Sequence, residues 1–271
     1  MTTIIAVLYC AVASISLLAS WAHYQQPVST SVLQNIESTP ENALLFAVVF
    51  VCFTYAMIRF SRATRLALPV ILGIALVSGA QFVYSAWLSL PASISFALAG
   101  AAALSVIPRV WIHNIITILG ISGIAGLLGT SLSPLVACSL LALFAIYDIV
   151  SVYRTKHMIV MASHMLSSGI IFGFLVPTSF RGLLLKKADA LNSNELMMLG
   201  SGDVTLPLIL AISVLRHSTD AAVIIVLFSL VGVLVMQWLF LRQKEAAPMA
   251  ALPPIALSAI LGYLCSIVLG V

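Results

Sequence analysis

Apolar stretches of membrane-spanning length follow one another along almost the whole sequence, at 2–22, 43–60, 66–88, 91–107, 112–130, 132–153, 197–216, 221–241 and 248–270. A helix that crosses the hydrocarbon core needs about 17–25 such residues. With 62% hydrophobic residues, 7% charged residues and a mean hydropathy of +1.18, the chain has too little polar surface to coat a soluble globule of its 271 residues. The expected fold class is an all-α polytopic membrane protein with nine transmembrane helices. Its organisation is one integral membrane domain: helices 1–6 in 1–153, a loop at 154–196, and helices 7–9 in 197–271.

The first run lacks a basic leader, and Ala19-Ser20-Trp21-Ala22 is a poor small-residue cleavage site, so a retained helix is expected. Cys10, Cys52, Cys138 and Cys265 fall within apolar runs without metal-ligand spacing, which implies no disulfide and no metal. The net charge of +4 and pI near 9.0 do not point to nucleic acid, because the basic residues sit in short connecting loops. Of the twelve, all but Arg216 fall in even-numbered loops: Arg59, Arg62 and Arg65, then Arg109, then Arg154, Lys156, Arg181, Lys186 and Lys187, then Arg242 and Lys244. The positive-inside rule places the amino terminus and loop 154–196 in the cytoplasm and the carboxyl terminus outside. The apolar segment 165–176 is too short to span, so an interfacial or strand-forming segment is expected there.

Two acidic residues, Asp148 and Asp203, lie inside the apolar runs, and no others do. A carboxylate near the bilayer centre costs about 2.5–3.5 kcal/mol on insertion scales, which makes such a residue a functional-site candidate. Asp148 precedes Arg154 by six residues near the end of the sixth run, and Asp203 lies six residues into the seventh. At 1.5 Å rise per residue both sit roughly 9 Å below the same surface, so the two helices can oppose them. Around Asp203 the sequence reads Gly200-Ser201-Gly202-Asp203-Val204-Thr205-Leu206-Pro207. The glycines permit close approach, and Pro207 removes the helix donor to the Asp203 carbonyl. Ala250-Ala251-Leu252-Pro253-Pro254, at the start of the ninth run, falls in the same layer.

Tyr147-Asp148, Gly200-Ser201-Gly202-Asp203 and Ala251-Leu252-Pro253, in that order on the sixth, seventh and ninth runs, resemble presenilin and signal peptide peptidase, the intramembrane aspartyl proteases. The run 147–158, YDIVSVYRTKHM, is similar to archaeal presenilin homologues. The resemblance covers essentially the whole chain, and it implies a presenilin-like fold with Asp148 and Asp203 as catalytic acids. Gly200, Gly202, Ala251, Leu252 and Pro253 are implied as supporting or substrate-binding residues. Tyr147 stands between two readings, an interfacial aromatic or a support for the acid. One departure is Ala250, where the family's first proline is expected. Implied partners are transmembrane protein or peptide substrates and membrane lipid, with no obligatory subunits and no cofactor.

Peptide hydrolysis by two carboxyls uses one as general base toward a water and the other as general acid, so a proton shared by the pair is expected. A substrate helix must first be unwound, since its amides are spent in internal hydrogen bonds. The resemblance implies that the unwound segment is held as a strand. Residues 169–176, GIIFGFLV, are a candidate strand partner, with a membrane-surface segment as the equal alternative.

Rival chemistries fare less well. Gly120-Ile121-Ser122-Gly123 resembles the rhomboid serine motif, but His157, His164 and His217 fall in loops, and Gly120, Gly123, Gly126 and Gly129 form a packing ridge instead. No HExxH occurs for a zinc protease. Prepilin peptidases share the Gly-x-Gly-Asp element but have fewer helices. The alternative from another class is a proton-coupled transporter using the paired acids, although the Gly-Asp element has no counterpart in the first half.

Overall fold

In a computed structural model the protein is described at residues 1–25, 61–154, 173–178, 180–192, 196–243 and 249–271. The helices are α1 (Thr2–Gln25), α2 (Ser61–Ser85), α3 (Leu90–Val106), α4 (Val110–Ser131), α5 (Pro134–Ile149), α6 (Lys187–Asn192), α7 (Ser201–Leu215), α8 (Thr219–Arg242) and α9 (Leu252–Leu269). A π-helical turn, Val150–Arg154, continues α5. Strands β1 (Gly173–Pro177) and β2 (Leu196–Gly200) form one antiparallel pair.

Five helices among the described residues are long and apolar enough to cross a membrane: α1, α4, α5 with its π turn, α8 and α9. The apolar parts of α2, α3 and α7 are shorter. The expected span at 43–60 and the loop histidines His157 and His164 lie outside the described residues. The chain is a multi-pass membrane protein.

Ser133 caps α5 by accepting from the Val136 N–H, with Pro134 at the first helical position, where a missing N–H costs nothing. Ser218 caps α8 in the same way, accepting from the Ala221 N–H at 3.1 Å. The expected glycine ridge does pack helices. A Cβ on Gly123 would run into the Gly79 backbone, one on Gly126 would meet Phe82, and one on Gly129 would meet Ile212 at 2.6 Å. Ser122 belongs to the same packing: its hydroxyl donates to the Val12 carbonyl at 3.1 Å while its own carbonyl accepts from Ser16.

At the centre stands α7, buried from Pro207 through Leu215 and packed against α1, α4, α5, α8 and α9. It is apolar on every side because it has protein on every side. At 15 residues it extends about 22 Å, less than a bilayer core. The expectation that this helix begins near 197 is corrected: residues 196–200 are β2, and α7 starts at Ser201. Loop 154–196 likewise contains ordered structure, since β1 is buried along its whole length.

Candidate active site

The end of α5 and the start of α7 bring the two acids together. Asp148 is buried, 7% exposed, two residues before the π turn, an irregularity that recurs at functional positions. Asp203 sits in the first turn of α7, third residue of the helix rather than the sixth, and is partly buried. Their carboxyls lie within electrostatic reach of each other. Among the described residues no group of three or more metal-ligating side chains gathers here or elsewhere.

The third motif enters through its backbone. Leu252 is the first residue of α9, Ala251 is its cap, and Pro253 follows in the first turn, where proline is tolerated. The freed N–H of Leu252 donates to Asp148 Oδ2 at 3.1 Å, and the Ala251 amide faces the same carboxyl. A helix amino terminus, with its unsatisfied N–H groups and dipole, is a natural partner for an anion. The carboxylate of α5 thus caps α9. The groups that hold the acid here are backbone donors.

The two glycines of the second motif differ. A Cβ on Gly200 would lie 2.8 Å from Asp203 Oδ2, so glycine there leaves room for the acid to fold back over its own helix start. A Cβ on Gly202 would meet nothing within 4 Å, so this residue borders open space beside the acids. Tyr147 is partly buried, with its side chain near Ser151 and within electrostatic reach of Asp148.

Leading into Asp203, β2 pairs with β1 in the register Gly173↔Gly200, Leu175↔Met198 and Pro177↔Leu196. The far edge of β1 is held by α4. Asn114 Nδ2 donates to the Leu175 carbonyl at 2.8 Å, its Oδ1 accepts from the Leu175 N–H at 2.9 Å, and His113 Nε2 lies 3.0 Å from the Gly173 carbonyl. Asn114 therefore completes the edge as a neighbouring strand would. Because the polar groups of Leu175 point at Asn114, those of its partner Met198 must point the other way, and Gly200 follows by the same alternation. Among the described residues no strand covers that outer edge of β2.

The signal-peptide peptidase, presenilin aspartyl protease family model matches residues 5–271. The chain belongs to that family. A presenilin family intramembrane aspartate protease solved in the C222 space group is 23% identical, with a TM-score of 0.67 and 99% of each chain covered. Its P2 form is 24% identical, with a TM-score of 0.64 and 97% of this chain covering 96% of that one. No curated protein sequence matches.

Sequence reasoning missed two residues of this presenilin-type layer, His113 and Asn114. The available signal was a pair of adjacent polar side chains just inside the apolar run 112–130, where each polar group must find a partner. Residues 169–172 of the candidate strand lie outside the described residues, and 173–176 fall in β1.

Proposed function

We propose that the protein is an intramembrane aspartic endopeptidase that hydrolyses peptide bonds within or near transmembrane segments, with Asp148 and Asp203 as the catalytic pair and a water as nucleophile. The observation that carries this is the meeting of the two carboxyls, one from α5 and one from the first turn of α7, beside the space at Gly202. One acid takes a proton from the water as it attacks the scissile carbonyl, and the other protonates the departing amine as the tetrahedral diol collapses. Tyr147 supports Asp148, and Ala251, Leu252 and Pro253 hold it in place through the start of α9.

The substrate segment unwinds and pairs with the outer edge of β2, where Met198 offers its N–H and C=O and Gly200 its N–H. Such strand addition supplies main-chain partners to amides that have left their helix. Since β2 runs directly into α7, a strand docked there lies next to Asp203. Nine spans, with the amino terminus and 154–196 cytoplasmic, complete the proposed arrangement.

Purified protein should cleave a labelled transmembrane peptide, and a transition-state inhibitor of aspartyl proteases should stop it. Rate against pH should rise and then fall, as expected when the pair must hold one proton. Absence of cleavage together with proton-dependent uptake into liposomes would replace the protease with a carrier.

A further inference from the structure

Away from the two acids, an apolar cavity of about 620 Å³ lies between α2, α3 and α4, with Gly73, Gly100, Leu104 and Trp111 in its walls. Its volume falls within the roughly 300–1,000 Å³ of small-molecule sites. One end is basic. The Val110 N–H donates to the Leu185 carbonyl at 3.2 Å, and the Lys187 N–H donates to the Pro108 carbonyl at 2.7 Å. Arg109 and Lys186 form a backbone bridge. These contacts stitch the α3–α4 connection to the segment before α6 and collect Arg109, Lys186 and Lys187 at one mouth, with Arg109 and Lys187 lining the cavity itself. Across 180–192 the one acid, Asp189, stands against Arg181, Lys186 and Lys187 in the sequence. Trp111, 39% exposed, stands at the same end, the level at which tryptophan meets lipid headgroups.

We infer that this cavity holds an acyl chain of an anionic phospholipid, with the phosphate on Arg109 and Lys187. The occupant has to match both halves of the site. A free phosphate leaves the apolar length empty, and a neutral lipid brings no net negative charge to the basic end. Burial holds the Lys187 ammonium below the usual lysine range, and a phosphate beside it would act in the opposite direction. His113 lines the cavity and also reaches the Gly173 carbonyl, so a bound chain lies against the residue that steadies β1.

Gly73 and Gly100 make the site testable, because a Cβ at either meets nothing within 4 Å and a large side chain there fills the cavity rather than the core. The full chain, purified in detergent with equimolar phosphatidylglycerol and phosphatidylcholine and then washed, should retain phosphatidylglycerol in several-fold excess by mass spectrometry. The double variant Arg109→Gln with Lys187→Gln should lose that preference, and Gly100→Phe should lose the retained lipid of both kinds. Gly73→Leu serves in its place if Gly100→Phe lowers the unfolding temperature. Equal retention of the two lipids by the unaltered chain, or retention unchanged in the filled variants, overturns the site. Displacement of the lipid by glycerol phosphate as effectively as by lysophosphatidylglycerol also overturns it, leaving an anion site without a chain.

Discussion

At the end of α5, Asp148 is fixed from outside its own helix, by the amide of Leu252, which stands 104 residues away in sequence. At the start of α7, Asp203 is placed from within, by its position in the first turn and by a glycine three residues earlier that leaves room for its carboxyl. The same chemical group is thus held once by tertiary packing and once by local backbone. Substitutions around Asp148 should therefore act through α9 and the stability of the bundle, whereas those around Asp203 should act on the aim of a single side chain.

The largest effect tests what the two acids have in common. Asp148→Asn and Asp203→Asn should each remove cleavage, a loss at or beyond the roughly 10²–10⁴-fold attributed to a general acid or base. Both variants should keep their fold, because an amide oxygen still accepts where a carboxylate did. Substantial cleavage by either variant, measured on the labelled transmembrane peptide, breaks the pair.

Next in size is the contrast between the two glycines of the second motif. Gly200→Ala puts a methyl group 2.8 Å from Asp203 Oδ2 and must turn the carboxyl aside. A displacement of about 1 Å costs on the order of 10²-fold in rate. Gly202→Ala meets open space, so its fold is untouched, and any fall in cleavage marks the volume that substrate occupies. Equal, small effects of the two would mean that Asp203 is not aimed by its local backbone.

Much of this layer was legible in the sequence because few residues inside a bilayer can be acidic without cause. Asp148 and Asp203 stood out against their apolar runs, and equal depth was enough to pair them even though the helix starts were misplaced. The misplacement has a physical origin. Residues 196–200, LMMLG, are apolar, and five apolar residues before a helix read as its first turn when hydropathy alone is used. Strand pairing with residues 173–177, some twenty residues earlier, decides otherwise, and no local pattern carries that information. The Leu252 amide was invisible for a related reason: a backbone donor bears no sequence signature, and proline-rich helix starts advertise only what they lack.

Asn114→Leu probes the clamp on β1. It keeps the volume but removes both bonds to Leu175, leaving a buried N–H and C=O that each cost about 1–3 kcal/mol. Hydrogen exchange at β1 amides should speed up while the α7 amides stay protected, and cleavage should fall by about tenfold, which corresponds to 1.4 kcal/mol. Unchanged exchange at β1 would mean that its partner strand alone holds it.

The smallest effect separates the two acids by stability instead of rate. Asp148→Ala strips the Leu252 amide of its acceptor at the start of α9, a cap loss worth about 1 kcal/mol. Asp148→Asn keeps an acceptor and should melt close to the unaltered protein. Among the described residues Asp203 accepts no comparable bond from another helix, so Asp203→Ala and Asp203→Asn should melt alike. The quantity to measure is therefore the gap between the alanine and asparagine variants at each position, in thermal unfolding of the purified chain. A gap at 148 and none at 203 is the outcome expected if α9 leans on Asp148. Equal gaps would show that the α5–α9 contact adds nothing beyond the apolar packing around it, and Asp148 would then be placed as locally as its partner.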